Sequence, residues 1–211
     1  VFVVSPQHFL YLILALLIAL TLHEAAHAAM ATLLGDPTAR QQGRLALNPL
    51  VHLDPLGTLM MLLTVLGGIG IGWGKPVPVT PWRLRPDPKT GMALVAAAGP
   101  VANLATAVLL AGVLQADLLP VTWLARLALV IIVVSVSLAV FNLLPLPPLD
   151  GYRVLLGFLP SRQAAALVPL EPYGPLLLLF LVFFGGYLPG GSPLYHWVTA
   201  LSRPIYHVLG L

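Results

Sequence analysis

Residues 23–27 read His-Glu-Ala-Ala-His, three ionisable side chains within five positions. On a helix, His23 and His27 are one turn apart on one face, so both imidazoles can reach a single ion. Glu24 is turned about 100° from His23. That offset keeps it off the ion yet close enough to take a proton from a water held there, which is how H-E-x-x-H serves zinc hydrolases. A catalytic zinc needs three protein ligands and one open position. The chain has no cysteine, so disulfides, thiolate catalysis and sulfur ligands are excluded together and the third ligand must offer N or O. The candidates are His8, His52, His196, His207, the five aspartates and Glu171. Asp150 stands out, because it closes the stretch "FNLLPLPPLDG" directly after a long apolar run. Prolines there free backbone groups that a membrane interior tolerates only where they line a site. An ordinary Asp-Gly turn at a helix exit explains the same residues.

The setting makes these residues expensive. They sit inside an apolar run from about Phe9 to Leu34, and a membrane crossing takes ~20 such residues. An ionisable group at the centre of a spanning helix costs roughly 2.5–3.5 kcal/mol, so three of them imply a shared use. The run is too long for a signal peptide, which would not carry these groups. The whole chain agrees: 211 residues, 59% hydrophobic and 8% charged, against about 25% charged in soluble domains. Ten basic residues are scattered without a cluster, which excludes a nucleic-acid footprint. The sequence opens on Val1, so residues can precede it.

Along the chain, residues 35–55 mix polar groups, Pro and Gly with an alternating piece, "RLALN", that predicts a short strand or hairpin arm. A second apolar run, Leu56 to Ile71, ends in "GGIGIGWG". The prolines of "KPVPVTPWRLRPDPK" predict loop or edge strand. Spanning helices are expected over about Gly91–Gln115 and Val121–Leu144, a further apolar segment over about Tyr173–Leu188, and an amphipathic tail from Leu194 that can lie at the interface. No internal repeat or linker marks a second domain, so residues 1–211 read as a single integral-membrane domain.

H-E-A-A-H in a membrane helix, "AGPVAN" on a later one and "NLLPLPPLDG" beyond it resemble, in this order, the site-2 protease family of intramembrane zinc metalloproteases. "GRLALNPLVHLDPLGT" and "GWGKPVPV" resemble its compact prokaryotic branch, which carries no PDZ or CBS domain. The resemblance covers roughly residues 10–155. It implies one catalytic Zn2+ held by His23, His27 and Asp150, with Glu24 as general base. It also implies that Asn142 helps to bind the substrate or the developing oxyanion. The implied activity is hydrolysis of a peptide bond in or near a transmembrane segment of a membrane-protein substrate, the partners being that substrate and the lipid bilayer, with no nucleic acid.

The resulting expectation is an all-α polytopic membrane protein: three transmembrane helices carry the zinc site, a short β-rich or re-entrant region lies on the cytoplasmic side, and further helices follow. Counting crossings sharpens it. His27 and Asp150 lie at the ends of their helices, which must run in the same direction to share an ion, so one of the three intervening apolar runs does not cross. Leu56–Leu66 would be only ~17 Å long as a helix, against a ~30 Å core, and is read as re-entrant. Arg40, Arg44, Lys75, Arg83, Arg85, Lys89, Arg153 and Arg162 then share one side, which the positive-inside rule makes cytoplasmic in a multi-pass cell-membrane protein. "RLALN" or "PVPV" could add a strand to an unwound substrate or simply plug the mouth of the site. His52 and Asp54 read as a loop-capping pair, with a further polar pair near the zinc as the alternative, Asn103 as a helix-packing amide first and a substrate contact second, and the four tryptophans as interface anchors. A metal transporter would repeat its ligands in related halves, and this chain does not. A catalytically dead scaffold would tend to lose Glu24 or Asp150, and both are present.

Overall fold

The computed structural model describes residues 5–67, 72–119 and 121–211. The apolar runs become helices: α1 (Pro6–Leu33), the short α2 (Thr38–Gln41), α3 (Pro55–Gly67), α4 (Pro88–Gln115), α5 (Thr122–Asn142), α6 (Asp150–Phe158), α7 (Ser161–Leu167), α8 (Gly174–Phe184) and α9 (Pro193–Val208). Among the described residues four stretches are long and apolar enough to cross a bilayer: α1, α4, α5 and the composite 161–187, in which short 3-10 turns join α7 and α8. The chain is thus an all-α polytopic membrane protein.

The ends of the long helices follow from local chemistry. Ser5 caps α1, accepting from the His8 N–H at 3.3 Å, and Pro6 fills the first turn, where no N–H is needed. Asp87 caps α4 in the same way, accepting from the N–H groups of Lys89 and Thr90, each at 3.0 Å. α5 stops just before the proline-rich stretch that leads to Asp150.

Helices α1, α4 and α5 pack on one another and form the centre of the molecule. Small residues make the contact close: Ala15, Ala19, Ala28 and Ala31 of α1 and Ala107 of α4 are fully buried. In a bilayer, where lipid tails are as apolar as leucine, such close backbone approach supplies the attraction. Ala107 and Ala111 of α4 and Ile132, Val136 and Val140 of α5 form the main apolar cluster.

The amphipathic tail forms α9, whose apolar face lies on α5: Trp197 and Ile205 pack against the main cluster. Trp197 Nε1–H donates to the Val140 carbonyl at 2.9 Å, and Gln115 donates to the Leu209 carbonyl at 2.8 Å. Trp197 is therefore a packing residue, whereas Trp82 and Trp123 are exposed.

The expected β-rich region also differs. Among the described residues there is no named strand, only one antiparallel bridge between Leu53 and Gly74. "RLALN" alternates but has no strand beside it. Arg44 is buried and donates to the carbonyls of Lys75 and Pro76, Leu47 is exposed, and Asn48 caps a 3-10 turn beginning at Pro49. The bridge bears on the second apolar run. Leu53 pairs with Gly74, and the Lys75 N–H donates to the His52 carbonyl at 2.7 Å, so the chain enters and leaves the α3 segment at one place. The glycine-rich end of that run, residues 68–71, lies outside the described residues.

Candidate metal centre

His23, Glu24 and His27 occupy the C-terminal half of α1 and are buried, with 3%, 9% and 7% exposure. Asp150 is the first residue of α6. The turn that brings it there needs Gly151, because a Cβ at that position would lie 2.2 Å from the Leu143 carbonyl oxygen. With no side chain, the start of α6 rests directly on the end of α5, and Asp150 points back toward α1. Its Oδ2 lies 3.1 Å from His23 Nε2 and 3.3 Å from His27 Nε2. Among the described residues, these three are the group whose donor atoms all fall within 4.8 Å of one another.

Several features fit a tetrahedral zinc with an open position. Asp150 Oδ2 is buried and forms no well-directed hydrogen bond, so three donor atoms converge without satisfying one another. The imidazoles stand nearly perpendicular, at 89°, with ring centroids 4.6 Å apart. His27 Nδ1 is 2.7 Å from the Val95 carbonyl oxygen; a donor there leaves the Nε2 lone pair facing Asp150. Gly99 of α4 provides the space, since a Cβ there would lie 2.5 Å from His27 Nε2 and 2.7 Å from His23 Cε1. Two nitrogens and one carboxylate oxygen are a donor set that zinc accepts.

Glu24 is turned off this cluster and lines an adjoining cavity of about 360 Å³ together with His23, His27, Asn142 and Asp150. Asn142 Nδ2 donates to the Leu138 carbonyl of its own helix at 2.9 Å, which leaves its second N–H for the cavity. The other wall is the extended chain after α3: Trp73, Gly74, Pro76, Val77 and Val79. Arg44, reaching the carbonyls of Lys75 and Pro76, ties that wall down.

The remaining sequence candidates lie elsewhere. His52 is fully buried, but its Nε2 is 2.8 Å from the Ala46 carbonyl oxygen and it takes no part in the cluster. Burial pushes its imidazole below the usual range, against the Ala46 carbonyl and aided by the nearby Arg44 charge. Asp54 caps α3, accepting from the Gly57 N–H at 2.8 Å, as a loop-capping residue should. Asn103 meets a side chain of a neighbouring helix, as a helix-packing amide should: its Nδ2 lies 3.2 Å from His23 Nδ1 of α1. Sequence reasoning missed the parts played by Gly99 and the Val95 carbonyl. "AGPVAN" did signal that α4 mattered, and the glycine in it is the cradle residue.

Comparisons with known proteins place the chain among zinc metalloproteases. The sequence profile of peptidase family M50 matches residues 115–170, a stretch that contains Asn142 and Asp150. The chain is 40% identical over 182 residues to "Putative zinc metalloprotease YwhC" of Bacillus subtilis (strain 168), covering 82% of this chain and 80% of that protein. It is 36% identical over 179 residues to "Putative zinc metalloprotease Rip2" of Mycolicibacterium smegmatis (strain ATCC 700084 / mc(2)155), covering 82% and 67%. No solved structure matches.

Proposed function

The chain belongs to peptidase family M50 and is a zinc metalloprotease of the site-2 type, and from that premise we propose that it hydrolyses a peptide bond in or near a transmembrane segment of a membrane-protein substrate. The observation that carries this reading is the convergence of His23, His27 and Asp150 at the inner ends of apolar helices, beside a cavity lined by Glu24. We assign the three converging residues as the zinc ligands. A bound zinc supplies acidified water and a Lewis acid for the scissile carbonyl.

The protein's own residues do the rest. Glu24 takes the proton of the attacking water and delivers it to the leaving nitrogen. Asn142 turns its spare N–H toward the peptide carbonyl and steadies the charge that develops there. A peptide bond in a substrate helix is already hydrogen-bonded, so the helix must unwind at the cavity before it is cut. The extended wall offers Val77 and Val79, two residues apart and alternating with prolines, as a partial strand edge for the unwound peptide.

The site faces the cytoplasm of a multi-pass cell-membrane protein. Support comes from the loops: Thr80 N–H donates to Asp36 at 2.6 Å, Arg85 N–H donates to the Leu34 carbonyl at 2.9 Å, and Lys89 donates to the Leu159 carbonyl. The basic segments around them thus gather at the end of the molecule that holds the metal centre. The test is reconstitution into lipid vesicles with a single-span substrate. Cleavage should vanish on chelation and return with added zinc; cleavage that survives full removal of the metal contradicts the reading.

A further inference from the structure

Asn103 lies on α4 one turn beyond Gly99 and is fully buried. Its Nδ2 is 3.2 Å from His23 Nδ1, on the side of the ring away from Asp150. Its Oδ1 is also buried and has no hydrogen-bond partner among the described residues. These two contacts clash with a metal-binding His23. For Nε2 to offer a lone pair, the neutral ring must carry its proton on Nδ1. An Nδ1–H facing an amide N–H would set two donors against each other. The amide's O and N exchange places by a half-turn, and their assignment follows from the hydrogen-bond network. That half-turn removes the donor–donor clash, because Oδ1 then accepts from Nδ1–H.

We propose that Asn103 is a positioning residue of the metal centre, its Oδ1 accepting the Nδ1–H of His23 and so fixing the tautomer whose Nε2 faces His27 and Asp150. The proposal rests on the assignment of His23 as a zinc ligand. It gives both histidines the same support from α4, a side-chain oxygen for His23 and the Val95 carbonyl for His27. It also explains the amide's place, since a polar side chain fully buried in an apolar helix is costly unless a partner needs it. Such outer partners orient ligands and raise their basicity, and losing one typically costs 10- to 100-fold in metal affinity.

The test uses the full chain in detergent micelles: wild type, Asn103→Leu, Asn103→Asp and His23→Ala. Zinc affinity is measured by competition with a chromophoric chelator, and ligand geometry by the visible bands of the cobalt-loaded protein. Asn103→Leu should bind zinc about 10- to 100-fold more weakly and shift the cobalt bands. Asn103→Asp keeps an acceptor at the same place and should bind close to wild type, although a purely packing role would tolerate a charge worse than leucine. The proposal is overturned if Asn103→Leu matches wild type in affinity and spectrum. It is equally overturned if Asn103→Asp loses more than about tenfold, a comparison that stands even if the leucine variant does not accumulate. Full zinc binding by His23→Ala would instead remove the ligand assignment itself, a result distinct from failure of the Asn103 proposal.

Discussion

Asp150 Oδ2 is the one carboxylate oxygen that both imidazoles approach, at 3.1 and 3.3 Å. Asp150→Ala should therefore lose most of its zinc, measured by atomic absorption after dialysis, because one of three anchoring donors is gone. Full occupancy in that variant would point to another donor, with buried His52 the first to examine. Gly99 gives a prediction of a different kind. Adding one methyl group at Gly99→Ala would bring a carbon to 2.5 Å from His27 Nε2, so zinc affinity should fall at least about tenfold, comparable to losing an outer partner. Unchanged affinity would mean that the helices separate easily there. The proposed ligands were legible in the sequence because H-E-x-x-H and the proline-rich approach to Asp150 are written in residue types. The Val95 carbonyl was not, since any residue supplies a carbonyl and only the packing of α4 on α1 selects this one. Gly99 stood in a recognised motif, but its role depends on two rings from another helix.

Helices were readable from length and apolarity, and the predicted spans match α1, α4 and α5 to within a few residues. Errors arose where pattern and partner separate. "RLALN" has the alternation of a strand, but Arg44 spends its hydrogen bonds on the carbonyls of the 75–76 segment, and among the described residues no neighbouring strand pairs with it. The two-sided pattern of the tail was readable, but not that α5 covers its apolar side. The loop that holds α1 against the start of α4 depends on Asp36, fully buried and bonded to Thr38 and to the Thr80 N–H at 2.6 Å. Burial raises this carboxyl, but the hydrogen bonds from Thr38 and Thr80, with Arg83 nearby, outweigh that and hold it below the usual carboxylate range. A carboxyl depressed by folding stabilises above its unfolded value, about pH 3.9, and that stability is lost as pH falls through the folded value. Asp36→Asn should thus lower the melting temperature at pH 7 and flatten the acid limb below about pH 4, as followed by thermal scans in detergent. An acid limb identical to wild type would exclude Asp36 as its source.

At the scale of the molecule, the account requires α1 and α5 to run in the same direction with α4 between them, and α3 to return to the side it left. The chain has no cysteine, so single cysteines report cleanly. Gln42→Cys and Trp82→Cys, both at exposed positions on either side of α3, should react with an impermeant thiol reagent from one membrane face, and Leu118→Cys from the other. Gln42 and Trp82 labelled from opposite faces would mean that α3 crosses, and Asp150 would then be on the wrong side to meet the histidines. Glu24 lines the cavity beside the proposed ligands without joining them. The most direct measurement is the cleavage rate of a single-span substrate by purified Glu24→Gln in lipid vesicles, with zinc content determined on the same sample. The variant should hold zinc at the wild-type level and cleave about 10²–10⁴-fold more slowly, because a general base is lost and no ligand is; cleavage at the wild-type rate would contradict the account.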